Sequence, residues 1–396
     1  MPRKPPASAP APTPAPRPGP PAVDGPPKLG SPRSPTLPAL RAEVDRLDKE
    51  LVALLNHRAE LSTQIGQVKD RQGLEIWSPA REEEVLTKAL AASKGPMPPE
   101  TIRLIFRELM SSSRALQRTL QVACLGPRYS YSYLAAVAKF GVSVEHVPVG
   151  SIAAVFEEVN RRHVQFGIVP LENSTDGRIA DTLDMFTRHA GMKIRAEVRL
   201  RVHHCLLGRC EWGQVRRVYS KAQALSQCRH WLGKNLPQAQ VVPVVSTAAA
   251  AEMAQQQEFA AAVASRPAAG AYNLKILAEN IEDQPHNVTR FAVIAEQAEA
   301  RTGKDKTTLL LRLPNQSGAL SKVLAAFEKA DLNLTMIESF PTADTPPNRD
   351  PSYLFFLDVE GHAEDEALKR ALDAVRKRCE RMEILGSYPR SDAIEN

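Results

Sequence analysis

The chain has 396 residues, 43% hydrophobic and 24% charged, a globular composition too long for one ordinary core, so two or three domains are expected. Of the net charge of +6, residues 1–36 supply +4 through Arg3, Lys4, Arg17, Lys28 and Arg33 against Asp24, and the folded remainder gives no support for nucleic-acid binding. No apolar run could span a bilayer and the N-terminus lacks a signal-peptide core, while five scattered cysteines without CxxC spacing fit free thiols in a reducing, cytoplasmic compartment.

Residues 1–36 are rich in Pro and Ala and are expected to form a disordered, partly polyproline tail. From Leu40 the pattern changes. Leu40, Val44, Leu47, Leu51, Leu54, Leu55, Leu61, Ile65 and Val68 recur at helical spacing with no intervening proline, which predicts a helix of about 30 residues, ~45 Å long. So long a helix in a domain of under 90 residues is expected to pack along a second copy of itself. Ser78-Pro79 opens a second helix as N-cap and first turn, and a third starts near Pro99. Arg58 and Lys69 interrupt the first apolar stripe, with Arg41 near its start, and Ser113 and Gln117 interrupt the third. Buried cations are costly unless paired with anions, and too few acidic residues lie on these faces to pair them. An interior cavity for a small, multiply anionic ligand accounts for the set, whereas snorkelling at the stripe edge would account for any single member.

These residues, Arg41, Arg58, Lys69, Arg81, Glu82, Ser113 and Gln117, fall at the active-site spacings of the all-helical chorismate mutases, which residues 37–120 resemble. Ser78 stands where some members carry Asp. The resemblance implies rearrangement of chorismate to prephenate, a unimolecular reaction that needs two carboxylates clamped and charge stabilised on the breaking ether oxygen. It implies carboxylate binding by Arg58 and by Arg41 of a partner protomer, donation to the ether oxygen by Lys69 and Gln117, and a hold on the substrate hydroxyl by Glu82. Arg81 and Ser113 would complete the site.

From Val122 short apolar strands alternate with helical stretches, an α/β pattern. Strands are expected at Val122–Leu125, Phe166–Val169, Val218–Tyr219, Val241–Val245, Ala261–Ala264 and Phe291–Ile294. Several end in polar turns: Ser130, then Glu172-Asn173-Ser174, then Ser220 and Ser246-Thr247. In open α/β sheets ligands bind past the carboxyl ends of strands, so two subdomains facing across a cleft of hydroxyl and amide groups are expected. Simple capping accounts equally for Ser130 and Ser246 taken singly.

In order, LGPRYSYSYLAA, IVPLENSTDG, VYSKAQALSQC, VSTAAAA and NVTRF are similar to the prephenate dehydratase family, whose architecture resembles two-lobed periplasmic binding proteins. Glu172, Asn173, Ser220, Gln227, Ser246 and Thr289 match its site motifs, and Arg290 belongs to its Thr-Arg-Phe signature. Tyr129 departs from a usual Gly, and Lys221 from a usual His. The implied reaction expels CO₂ and water from prephenate and leaves phenylpyruvate. The reading assigns Thr289 to the departing hydroxyl, with Glu172, if burial raises its pKa, as the rival acid.

After the polar linker Glu296–Lys306, strands at Thr307–Leu313, Asn333–Phe340, Tyr353–Val359 and Glu383–Tyr388 and helices at Gly318–Ala330 and Glu364–Lys377 give a ferredoxin-like βαββαβ order. A Pro/Asp-rich loop, Pro341 to Pro351, divides it. The stretch Pro314–Leu320 and Ile337-Glu338-Ser339-Phe340-Pro341 resemble ACT regulatory domains, which implies an effector site for phenylalanine at Gly318, Ala319, Leu320, Glu338 and Ser339, between paired domains. Phe340 replaces the usual Arg of that motif, which would weaken or alter feedback.

The expected molecule is therefore multidomain: an all-α helical mutase domain over 37–120, a two-lobed α/β domain over 121–298 and an α+β ferredoxin-like ACT domain over 305–391, behind the tail 1–36. It is read as a cytoplasmic, phenylalanine-regulated enzyme of phenylalanine biosynthesis that acts on chorismate and prephenate. It is expected to be at least a homodimer, with no cofactor or metal and no nucleic-acid or membrane partner. Two rivals stand beside it: a non-catalytic amino-acid sensor, and an arogenate dehydratase.

Overall fold

The computed structural model describes residues 36–175, 177–341 and 353–394. The proline-rich tail through residue 35 and the Pro/Asp-rich loop from 342 to 352 lie outside them. The chain divides after Asn56 into two compact units.

Helix α1 (Leu37–Gln72) is 36 residues long, about 54 Å, and longer than the apolar repeat alone predicts. Nothing between Leu37 and Gln72 breaks it, and Gly73, at φ +63°, ends it in the left-handed conformation that favours glycine. Along it Leu40, Val44, Leu47, Leu51, Leu54, Leu61, Ile65 and Val68 stay 46–66% exposed among the described residues. Helix α2 (Pro79–Ala92) is capped by Ser78, whose Oγ accepts from the Arg81 backbone, so Ser here keeps the cap that Asp would provide. Helix α3 (Pro99–Gln117) completes the helical domain.

The next domain has two lobes. The first is built from β1 (Gln121–Leu125), α4 (Tyr131–Phe140), β2 (Glu145–Val149), α5 (Ile152–Asn160), β3 (Phe166–Asn173), β4 (Gly177–Arg178), α6 (Ala180–Arg188) and β5 (Lys193–Arg201). The chain then crosses through Val202, His203 and His204 into the second lobe. That lobe contains β6 (Cys205–Gly208), β7 (Arg217–Lys221), α7 (Ala222–Gln227), α8 (Arg229–Asn235), β8 (Gln240–Val244), α9 (Thr247–Gln256), β9 (Ala260–Ala264), α10 (Arg266–Ala271) and β10 (Lys275–Ala278). Its sheet runs β10-β6-β9-β7-β8. A second crossover returns to β11 (Val288–Ala295), which inserts antiparallel between β3 and β5 in the first sheet.

Pro170 was expected to end its strand, yet β3 continues through it to Asn173. Opposite it the β3–β11 register shifts: Phe291 faces Pro170 and Arg290 faces Glu172, so Leu171 is an extra residue. A bulge is one of the places where a strand tolerates proline.

The C-terminal domain comprises β12 (Asp305–Arg312), α11 (Ala319–Glu328), β13 (Leu334–Pro341), β14 (Tyr353–Glu360), α12 (Glu366–Arg376) and β15 (Arg381–Pro389). Its antiparallel sheet has the order β13-β14-β12-β15. The chain ends by returning β16 (Ala393–Ile394) to the first sheet, parallel to β5.

Sheet meets sheet at the junction of these two domains. Leu310, Leu354, Phe356, Leu385 and Tyr388 share one core with Leu183, Phe186 and Ile194. A Cβ on Gly386 would strike the Ile194 carbonyl, so β15 and β5 approach as closely as backbones can. Between them lies a buried charge cluster. Arg290 donates to Glu197 at 2.9 Å and to the Tyr388 hydroxyl at 2.9 Å, and sits 2.6 Å from Asp358; Lys306 reaches Glu197 at 2.7 Å. Burial works against the Arg290 charge, but the facing Tyr388, Asp358 and Glu197 more than offset it and raise its pKa above the ordinary arginine value. Breaking such a cluster from one side strands buried anions. Arg290→Gln is expected to destabilise the chain by about 3–5 kcal/mol, read as a lowered melting transition in calorimetry.

The helical domain is also tied in. Trp77, in the α1–α2 connection, is 1% exposed and packs its ring against Phe140 and Phe166, each 4.7 Å away between centroids. Beside it Arg195, from β5, is held between Glu75 and Glu299. The five cysteines are free thiols, and burial pushes Cys124 up to about 12.

Candidate functional sites

In the helical domain, Arg58 donates to Ser113 Oγ at 2.5 Å and to the Leu109 carbonyl at 3.3 Å, while Lys69 donates to the Ile76 carbonyl at 2.8 Å. Both cations are half-buried and both are bonded to neutral oxygens. Desolvation lowers the pKa of each, and for Lys69 the nearby Arg81 adds to the effect. Gln117 approaches α1 where Gly66 leaves room; a Cβ there would lie 2.7 Å from Gln117 Cγ. The Gln117 Oε1 atom is buried without a hydrogen-bond partner among the described residues. Among the described residues the two cations thus meet only neutral oxygens, which leaves them able to take an anion, while the Gln117 amide oxygen can accept from a donor.

Two expected members are otherwise engaged. Glu82 accepts from Arg114, a buried arginine that sequence reading overlooked, whose pKa falls to about 10 through burial. Arg81 pairs with Glu84 at 2.5 Å on the exposed side of α2. Arg41 lies on the exposed early turns of α1.

In the two-lobed domain, β3 and β11 set Asn173 beside Thr289 and Glu172 beside Arg290. Successive strand residues face opposite sides of a sheet. Asn173 Nδ2 donates to Thr289 Oγ1 at 2.7 Å and to Asn287 Oδ1 at 3.0 Å, and Asn287 Nδ2 donates to Gln227 Oε1 at 2.9 Å. Three expected residues thus join one hydrogen-bonded group across the crossover strands. Asn173, Asn287 and Thr289 are 3–8% exposed. Among the described residues Thr289 Oγ1 accepts from Asn173 and donates to no group, so its own proton is open to a guest.

Arg290 and Glu172 do not join this group. Strand parity sends both to the opposite face, where Arg290 anchors the C-terminal domain and Glu172, its side chain 41% exposed, lies 3.8 Å from the Arg290 guanidinium. That setting, half-exposed beside a cation, lacks the burial that the rival acid assignment required. In the second lobe Ser220, fully buried, donates to the Val263 carbonyl at 2.6 Å. Ser246 caps α9 by accepting from the Ala249 backbone at 3.0 Å. Tyr129, where glycine was expected, has φ +66°, the conformation that favours glycine. Its ring meets Tyr133 at 5.6 Å and, from the other lobe, Tyr272 at 6.1 Å. Those contacts offset a backbone cost of ~1–2 kcal/mol.

In the C-terminal domain Gly318 starts α11 at φ +76°, and Ala319 and Leu320 pack on the domain core. Glu338 and Ser339 are adjacent on β13, so they face opposite ways: Glu338 lines a junction cavity of about 10 Å³ with Arg290 and Asp358. That is room for about one water, not an amino acid. Phe340 stacks on Phe356 at 5.4 Å between centroids.

Comparison with known proteins follows the same three-part division. Family models match residues 40–118 as chorismate mutase type II, 122–299 as prephenate dehydratase and 307–377 as ACT domain. A bifunctional chorismate mutase/prephenate dehydratase of Aquifex aeolicus is 41% identical over 90% of this chain and 98% of its own length. One from Pseudomonas aeruginosa is 38% identical with the same coverage. Among solved structures, a prephenate dehydratase from Arthrobacter aurescens in complex with L-Phe is 31% identical, with a TM-score of 0.63 over 68% of this chain and 90% of that one. No helix among the described residues is long and apolar enough to cross a membrane.

Proposed function

Because the chain belongs to the family of bifunctional chorismate mutase/prephenate dehydratases, we propose that its two polar sites perform the two reactions in separate domains. The domains are taken as 37–120, 121–298 and 305–391. In the first, chorismate supplies the anions that Arg58 and Lys69 lack. Arg58, steadied by Ser113, clamps one carboxylate, and Arg41 of a second copy clamps the other. Lys69 and Gln117 donate to the ether oxygen as the bond breaks, where preorganised donors act most strongly. Glu82, with one oxygen on Arg114, offers the other to the substrate hydroxyl, and Arg81 closes the edge. The exposed stripe of α1 supports a homodimer in which that second copy covers it.

In the second site prephenate loses CO₂ and hydroxide, and aromatisation drives the step. Thr289 presents its proton to the departing hydroxyl, Asn173 holds Thr289 in that orientation, and Gln227 with Ser246 lines the cleft for the carboxylates, while Ser220, buried with its proton on the Val263 carbonyl, braces the strand end instead of meeting substrate. Phenylalanine acts at paired ACT domains through Gly318, Ala319, Leu320, Glu338 and Ser339. Phe340, packed into the domain junction where arginine is usual, weakens that response. A cytoplasmic location agrees with the free thiols.

The observation that carries this reading is the donor orientation at Thr289, together with two half-buried cations bonded to neutral oxygens. Supplying chorismate, prephenate or arogenate separately, with and without phenylalanine, tests it. Prephenate from chorismate and phenylpyruvate from prephenate are expected; conversion of arogenate alone would move the second site to the rival substrate, and turnover of none would favour a sensor.

The fit of Gln117 against Gly66 gives a sharper expectation. Gly66→Ala should push the Gln117 side chain aside and lower mutase kcat about tenfold or more, the scale on which misplacement of a catalytic group acts. Unchanged chorismate turnover in a stopped assay would remove Gln117 from the site.

A further inference from the structure

Arg114 lies on α3 between two residues of the mutase site, one position after Ser113 and three before Gln117. One residue turns a helix by about 100°, so its side chain leaves their face and enters the packing between α2 and the first lobe. It is buried there. Arg114 Nη1 donates to Glu82 Oε1, and Nη2 donates to the Phe140 carbonyl at 2.5 Å. Phe140 is the last residue of α4, where carbonyls lack partners within the helix and the dipole favours a cation. The anchor is itself immobile. A Cβ on Gly141, the next residue, would strike the Ser111 side chain of α3, and the Ser143 backbone N–H donates to Ser111 Oγ at 3.3 Å. The guanidinium is thus fixed at both ends, by a carboxylate of the helical domain and by backbone of its neighbour.

A carboxylate inside a site for an anionic substrate needs a cation of its own. Left unpaired, Glu82 would repel the substrate carboxylates and draw on Arg58 and Lys69, the cations that receive them. Water screens little of this, because the side chains of Glu82 and Arg114 are only 14% and 6% exposed. A lone carboxyl so placed would also tend to take a proton and become a weaker acceptor. Arg114 answers both problems from the Phe140 side. Its charge favours the ionised carboxylate, and its bond occupies one oxygen, which leaves the other for the substrate hydroxyl.

We propose that Arg114 is a positioning residue for the mutase reaction: anchored on the α4 carbonyl, it holds the Glu82 carboxylate in the one orientation that meets the substrate hydroxyl, and keeps its charge from neutralising Arg58 and Lys69. Arg114 acts through Glu82 and does not itself touch the substrate. The inference rests on the reading of Glu82 given above. It also makes the first reaction depend on a backbone carbonyl that belongs to the domain of the second.

The test uses the full-length chain, with chorismate for the mutase and prephenate for the dehydratase as a folding control on the same polypeptide. Arg114→Met keeps a long stem and removes the charge and both donors. It is expected to lower mutase kcat/KM about 100-fold, the scale on which a misplaced catalytic group acts, while the dehydratase stays native. Arg114→Lys, which keeps the charge without the planar fork, should recover mutase kcat/KM to within about tenfold of native. Glu82→Ala supplies the second arm of a double-mutant cycle and should itself cost about 100-fold. Adding Arg114→Met to it should cost no more than about a further threefold, since a residue that acts through Glu82 then has nothing to act on. The proposal is overturned if Arg114→Met keeps mutase kcat/KM within about tenfold of native, or if its further cost in the Glu82→Ala background exceeds about threefold, the pattern of a residue that matters only for packing. It is also overturned if Arg114→Lys, with the dehydratase intact, is no better than Arg114→Met. Should Arg114→Met lose the dehydratase too, the same cycle is read with Arg114→Lys: a loss of about threefold or more that vanishes in the Glu82→Ala background supports the role, and a smaller or persistent loss overturns it. Glu82→Ala alone separates the two ideas. If it is native, the Glu82 reading fails and the positioning role with it; if it is impaired while Arg114→Met is native, only the positioning role does.

Discussion

Thr289→Ala is expected to lower dehydratase kcat by about two to three orders of magnitude, the usual consequence of deleting one preorganised donor to a developing negative charge. The geometry explains why so small a group should matter. Thr289 is 8% exposed, and Asn173 Nδ2, 2.7 Å away, occupies an acceptor position on its oxygen. A threonine hydroxyl is too weak an acid to transfer its proton unaided, so the effect must come from hydrogen bonding to the leaving hydroxyl as charge builds on it. Thr289→Ser keeps that hydroxyl and should remain within about tenfold of native. Rates of phenylpyruvate formation from prephenate settle the matter, and near-normal turnover by the alanine variant would sink the assignment. Mutase activity should be untouched, because among the described residues no hydrogen bond of Thr289 leads into the helical domain.

Arg58→Ala carries the other large expectation: loss of mutase kcat/KM by about a thousandfold or more, with dehydratase activity spared. A half-buried cation that clamps a substrate carboxylate contributes both charge and alignment, and loss of one partner of a buried charge pair alone costs about 2–5 kcal/mol. Among the described residues the hydrogen bonds of Arg58 run to α3, to Ser113 and Leu109, so its removal leaves the two-lobed domain's own contacts intact. Arg58→Lys should rescue poorly, since an ammonium cannot present a planar fork to a carboxylate. Equal loss of both activities in the alanine variant, measured on chorismate and prephenate separately, would mean that the sites are not independent.

Periodicity and motif order disclosed more of this molecule than long-range packing did. The α1 stripe and the alternation of strands and helices are local patterns, and they located the elements they named to within a few residues, while β2, β5, β6 and β10 were not foreseen. Asn173, Gln227 and Thr289 were singled out by the order of their motifs, and the structure joins them through Asn287 in one hydrogen-bonded group. Strand parity was the information missing for Arg290 and Glu172. Their motif neighbours Asn173 and Thr289 share the other face, but which of two adjacent residues lies there depends on a register broken at Leu171, and no local pattern reveals a bulge. Tyr129 was visible as a departure from glycine, and only the backbone shows that the left-handed turn persists with tyrosine in it. Asn287 stood inside the NVTRF motif without being given a role, and its bond to Asn173 is a long-range contact that no local pattern reveals.

The burial of Trp77 limits how this polypeptide could be divided. A cut near residue 120 appears to respect the boundary between two enzymes, but the indole that fills the space beside Phe140 and Phe166 is encoded on the far side of it. The downstream half would inherit a hole the size of a tryptophan, a loss of about 3–5 kcal/mol by analogy with truncation of large core aromatics, and an Arg195 stripped of its Glu75 partner. The upstream half would carry an unsheltered indole one residue beyond the carbonyl that Lys69 grips. Gene fission is thus open to this lineage only through compensating changes around Phe140, whereas either active site can drift on its own while the fusion is kept.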